Sequence, residues 1–238
     1  MVKNILYIII CLLWPGISIC ISDLHLIVDE SLSIPIRKVI NEYTKQSKAV
    51  ITSDFLSAKN LIESIDSTVD IVISVNYNVE NAIEKINFAN DQLYLCISKA
   101  SNIYKTINKN DNLNTILKII KKHSTLMIPS EELKIGSFAK IAIKKLNVEN
   151  YVEIDNFQDL VYSTIKSGAF CILPHSLALY YKNINIESII EIPQSLYEQI
   201  NYNITIVNKN NIEKSEKFLH FLVLNMHLLE DIGFKVNF

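Results

Sequence analysis

The residue types in this chain that could do chemistry gather in a few short stretches. Asp29, Glu30, Asp54 and His175 supply carboxylates and an imidazole, a donor set that suits a divalent or ferric ion, or an amine. Ser31 and Ser57 each stand before an apolar run at helical spacing. A hydroxyl there can join the first helix amides in holding an anion, or simply cap the helix. Cys171 and His175 lie four residues apart on a strand and turn, a spacing that does not give a productive thiol–imidazole pair. His25, His123, His220 and His227 show no metal spacing with one another and read as ordinary surface or core residues. The glycines Gly16, Gly136, Gly168 and Gly233 are too far apart to form a phosphate loop. With no nucleophile–base pair and no metal triad, the chain is expected not to be an enzyme and to carry no cofactor.

Composition narrows the class. The chain is 49% hydrophobic and 20% charged, enough apolar matter for a sizeable core and too much for a disordered chain. Its net charge of −2 gives no electrostatic case for nucleic acid. Residues 1–20 read as a secretory signal peptide: Lys3, the apolar run Ile5 to Trp14, the break at Pro15-Gly16, and cleavage after about Cys20. A lipid on Cys20 fits less well, because Ile19 stands where a small residue is needed. The expected destination is the periplasm. Cys96 and Cys171 sit in apolar strand-like runs and read as two separate buried thiols.

The elements that must position these residues alternate. His25–Val28, Ala49–Thr52, Asp70–Ser74 and Gln92–Ser98 read as strands. Helical spacing falls on Leu32, Ile36, Val39, Ile40 and Tyr43, on Asn60–Ile65, and on Val79–Ile86. After a polar stretch the alternation resumes. Helices are expected at Leu113–Ile120, from Gly136, after an Asn156 cap, and at Leu177–Tyr181. Strands are expected at Leu126–Ile128, Tyr151–Ile154, Phe170–Leu173 and Asn203–Val207. Glu213–Leu224 and a last helix ending at Gly233 close the chain. This is an α/β pattern of two units without a linker, which implies two lobes with a ligand cleft between them.

Seven segments, in order, resemble the periplasmic molybdate-binding proteins, the solute-binding subunits of ABC importers. They are Leu26–Ser33, Asp54–Leu61, Asp70–Ser74, Asn90–Lys99, Ile135–Leu146, Ile165–Gly168 and Phe218–Phe234. The helix Gly-Ser-Phe-Ala-Lys-Ile-Ala-Ile-Lys-Lys-Leu at 136–146 is the nearest match. The resemblance implies a type 2 periplasmic-binding fold, each lobe a mixed, mostly parallel sheet flanked by helices, with the ligand cleft between the lobes. It places residues 21–99 plus 201–238 in lobe 1 and 100–200 in lobe 2. It implies a monomer that hands a small oxyanion to an inner-membrane permease. A transcription-factor effector domain shares this architecture but carries a DNA-binding helix pair upstream, where this sequence has its apolar leader.

By that resemblance the anion would be held without a countercharge. Ser31 would give its hydroxyl and amide, Ser57 and Ala58 would line a second loop, and Ile135 and Leu160 would give amides. Departures stand out. Ala58 replaces a binding serine, Leu56 replaces a loop glycine, and Pro174 stands at a binding tyrosine and has no donor. Asp29 and Glu30 replace alanines, and each opposes a nearby anion by about 1 kcal/mol or more. The alternatives are therefore a metal ion held by Asp29, Glu30 and His175, with Tyr180-Tyr181 resembling the tyrosine pair of ferric-binding proteins, or a relative that has lost its ligand and acts as an envelope interaction protein.

Overall fold

A computed structural model describes residues 23–108 and 110–237. The leader expected over residues 1–20 lies outside the described residues, as does the side chain of His123. The first lobe opens with β1 (Leu24–Asp29), α1 (Ser33–Ser47), β2 (Ile51–Leu56), α2 (Ala58–Glu63) and β3 (Ile71–Val75). The three strands run parallel, with β1 between β2 and β3. Every residue of β3 is buried, the pattern of a strand covered on both faces. Leu32, Ile36, Val39, Ile40 and Tyr43 form the buried face of α1, as their spacing requires.

Residues 79–86 depart from the helix their spacing suggests. Asn76 and Asn81 take positive φ in the turns there, and β4 (Glu84–Asp91) begins within the segment. It pairs antiparallel with β10 (Ile200–Ile206), which also pairs antiparallel with β3. With β11 (Lys235–Val236) at its edge, the first sheet runs β11-β4-β10-β3-β1-β2.

The second sheet holds β5 (Leu93–Ser98), β6 (Leu126–Pro129), β7 (Tyr151–Ile154), β8 (Phe170–Pro174) and β9 (Ile186–Glu191), in the order β7-β6-β8-β5-β9. Its helices are α3 (Leu113–His123), α4 (Lys134–Lys145), α5 (Phe157–Ser167) and α6 (His175–Tyr180). Because β5 pairs with β8 and β9, residues 93–98 belong to the second sheet and not to a first lobe ending at 99. The crossing falls at Gln92, and the return runs from Ile192 to Gln199. The two crossings are tied together where the Leu93 amide donates to the Tyr197 hydroxyl at 2.8 Å.

The chain then folds back on the first lobe through α7 (Ile212–Leu224) and α8 (His227–Glu230). Phe218 and Phe221 of α7 each meet the Tyr43 ring edge-on at 5.2 Å. Two glycines are dictated by geometry. Gly168 ends α5 in the left-handed conformation at φ 66°. At Gly136 a Cβ would fall 1.9 Å from the Ser130 carbonyl oxygen, so only glycine lets α4 start this close to the end of β6. Cys96 and Cys171 are free and buried, directly opposite each other on β5 and β8.

Candidate functional site

One set of polar residues at the lobe boundary comes from one side of the first helix. Asp29 caps the turn Glu30–Leu32, which runs straight into α1. Glu30, Ser33, Ile34 and Arg37 follow at i, i+3, i+4 and i+7, a single helical face opposite the buried one. All four line a cavity of about 550 Å³. Phe55 at the end of β2 closes the same side, and the start of α5 with Leu177 and Tyr181 forms the facing wall. The cavity therefore lies between the two lobes.

Its charges are uncompensated. Arg37 is the chain's sole arginine. Its guanidinium carbon lies 3.9 Å from the Phe55 ring centre, a cation–π contact that fixes the group. Among the described residues Arg37 has no ion pair to a carboxylate, and the Glu30 carboxylate has neither an ion pair nor a hydrogen bond. Burial raises the Glu30 carboxyl pKa, helped by the neighbouring Asp29. The Tyr181 hydroxyl is also raised, first by burial, then by Tyr180 and by Glu30, so the field of Glu30 reaches the other lobe. At the start of α5 the Asn156 side chain accepts from the Asp159 amide at 2.8 Å. The Phe157 and Gln158 amides are left without an acceptor among the described residues, and both residues line the cavity.

The anion donors expected from the sequence divide into two groups. Ser31 is buried and gives both its hydroxyl (2.6 Å) and its amide (3.0 Å) to Asp29 Oδ1. The cap is thus Asp29, not Ser31, and the pair forms a closed local loop. The Ala58 amide donates across the lobes to the Glu132 carbonyl at 3.1 Å. The Leu160 amide makes the first bond of α5, to Asn156. Pro174 is the buried end of β8, with no N–H to offer. Three donors in the same region have no partner among the described residues: the Ser57 hydroxyl, which precedes α2 without a side-chain cap bond, the Ile135 amide in the first turn of α4, and the buried Ser130 hydroxyl.

The expected metal set is dispersed. Asp29 is committed to Ser31, Asp54 pairs with His25 at 2.8 Å, and the His175 ring stacks on Tyr94 with centroids 4.5 Å apart. Among the described residues no three His, Cys, Asp or Glu side chains come together as a metal site. Tyr180 and Tyr181 meet edge-on at 5.1 Å, but only Tyr181 reaches the cavity.

Sequence reasoning missed Asp91, a buried carboxylate where the lobes join. It accepts from the Gln92 amide (2.6 Å), the His175 amide (3.0 Å), the Ser176 amide (3.3 Å) and hydroxyl (2.6 Å), and the Tyr202 hydroxyl (3.4 Å). It thereby caps α6, the helix leading to Tyr181, and fixes the first crossing to β10. Burial outweighs all these donors and pushes its pKa up to about 6. Arg37 was also overlooked, although its position seven residues after Glu30 on the polar face was a readable signal.

No family model matches the sequence, and no curated protein does. Solved structures do match in fold. The periplasmic molybdate-binding protein of Azotobacter vinelandii superposes with a TM-score of 0.71 at 12% identity, over 90% of this chain and 100% of that one. The substrate-binding domain of a proposed molybdenum ABC transporter from Clostridium difficile gives 0.63 at 17%, over 89% and 97%. A regulatory domain of OxyR2 from Vibrio vulnificus gives 0.66 at 13%, over 88% and 99%. Two mixed sheets flanked by helices, crossed twice by the chain and matched almost end to end by these structures, give this protein the two-lobed type 2 periplasmic-binding fold.

Proposed function

We propose that this chain is an extracytoplasmic solute-binding protein. It takes a small solute between its lobes and delivers it to an ABC permease in the inner membrane, without catalysis. The observation that carries this reading is the interlobe cavity, where among the described residues Arg37 and Glu30 have no ion-pair partner and two amides at the start of α5 have no acceptor. Charged and donor groups left open in a cleft between two hinged bodies suit a ligand that bridges them. Under this reading the protein acts as an exported monomer.

A second reading has its own support. Among the described residues Ser57, Ile135 and Ser130 keep unpartnered donors near the interlobe bond of Ala58, as an oxyanion site for molybdate or tungstate requires. In that case Asp29 must release Ser31, or the anion must do without it. Thermal unfolding against a panel of molybdate, tungstate, sulfate, phosphate, ferric citrate, zinc, manganese and amino acids separates the possibilities. A solute at a hundredfold excess over its Kd stabilises the fold by about 2.7 kcal/mol, a rise of several degrees. A rise with molybdate and tungstate alone supports the second reading. No rise with any compound overturns solute binding and leaves the ligand-silent interaction protein.

A further inference from the structure

We infer that the ligand of the interlobe cavity is a zwitterion of amino-acid type, its carboxylate held by Arg37 and its ammonium by Glu30. The inference rests on the solute-binding reading and adds the chemical class of the solute. The cavity is lined by one cation, Arg37, by the partly buried carboxylate of Glu30 and by the exposed carboxylate of Asp159; Arg37 and Glu30 have no ion pair among the described residues, not even with each other. They lie seven residues apart, Glu30 on the 3-10 turn and Arg37 on α1, so at the rises of the two helix types their Cα atoms are separated by about 11–12 Å. Helical side chains lean toward the N-terminus, which tilts Arg37 toward Glu30. The guanidinium instead lies over the Phe55 ring, 3.9 Å from its centre, and does not meet Glu30. A short molecule with opposite charges at its two ends satisfies both groups at once.

The rest of the cavity agrees. The Phe157 and Gln158 amides at the start of α5 add donors that a carboxylate accepts. Asp159 in the same turn adds a second carboxylate to the lining, one oxygen of which accepts from the Asn156 side chain at 2.7 Å. Ile34, Phe55 and Leu177 give apolar wall for a small side chain. A divalent oxyanion fits this cavity poorly. Arg37 would attract it, but Glu30 and Asp159 repel it, and it has nothing to give Glu30. A simple amine has the converse fault at Arg37.

The test is calorimetric titration of the purified full chain with two sets of compounds, the twenty proteinogenic amino acids and the oxyanions molybdate and tungstate, and then with the deaminated acid and decarboxylated amine of any amino acid that binds. The expected result is binding of at least one amino acid, with each single-charge analogue weaker by tenfold or more. In Glu30→Gln the preference over the deaminated acid is lost, and in Arg37→Gln the preference over the amine. Both positions are at the surface or half-buried, and circular dichroism verifies that each variant is folded. Binding of molybdate or tungstate with no amino acid bound overturns the zwitterion while leaving solute binding intact. Binding of nothing in either set overturns both. An analogue bound as tightly as its parent amino acid also overturns the inference.

Discussion

Asp91 offers the sharpest quantitative test of how the lobes are joined. Its carboxyl is raised from the usual 3.8 to about 6 by burial. Below pH 3.8 it is protonated in the folded and the unfolded chain alike and does not make stability depend on pH. Between 3.8 and 6 the unfolded chain gives up the proton first, so the stability present at low pH is lost as pH rises through the folded value. About two pH units at 1.36 kcal/mol each make the loss about 3 kcal/mol. Asp91→Asn cannot ionise and should not show this loss. Its amide nitrogen meets donors on one side, though the Ser176 and Tyr202 hydroxyls can turn to accept, so the variant carries a constant cost of about 1–3 kcal/mol. Urea unfolding of both chains, followed by circular dichroism from pH 4 to 7.5, gives the difference in stability directly. Asp29 and Glu30 are also raised by burial and act with the same sign, and His175, lowered by burial, acts with the opposite one. All three are present in both chains and largely cancel. The wild-type advantage should shrink by about 3 kcal/mol across the window, with its midpoint between 3.8 and 6. A difference that stays flat refutes the burial argument for Asp91.

Three further outcomes follow from named contacts. Ser31→Ala removes the 2.6 Å bond to buried Asp29 and should lower stability by about 1–3 kcal/mol in urea unfolding, while leaving affinity for a cleft-bound solute within threefold. A tenfold loss of anion binding in that variant would instead support the oxyanion site. Gly136→Ala drives a methyl into the Ser130 carbonyl and should cost about 1–3 kcal/mol or more, read as a fall of several degrees in the calorimetric midpoint. Cys96 and Cys171 should resist a thiol reagent such as dithionitrobenzoate in the native protein, and both should react in denaturant, because both are fully buried.

Much of the fold could be read from local pattern. The face Leu32, Ile36, Val39, Ile40, Tyr43 specifies a helix on a core, and Asn156 and Gly168 mark the two ends of α5 by chemistry that needs no tertiary context. The segment 79–86 misleads because Val79, Ala82, Ile83 and Ile86 fall at helical spacing. There β4 is decided by β10, more than a hundred residues away, which a local window cannot see. The same limit applies to the lobe boundary, since β5 belongs with β8 and β9 through pairings far apart in sequence. At the site, the position of Ser31 before the first helix was legible. Its capture by Asp29 two residues earlier is a local turn that the spacing alone did not reveal. Arg37 and Glu30 stood on a readable polar face, but the facing wall of Phe157, Gln158 and Tyr181 exists only once two lobes meet.

The central claim, that a solute bridges the lobes at this cavity, is tested most directly by amide hydrogen exchange with and without the solute that most raises the unfolding midpoint. The account predicts slowed exchange on both walls together, in residues 30–37 and at the start of α5 in residues 157–159, and loss of that effect in Arg37→Gln. Slowing on one lobe only, or slowing around Ser57 and Ile135 that survives Arg37→Gln, would contradict it.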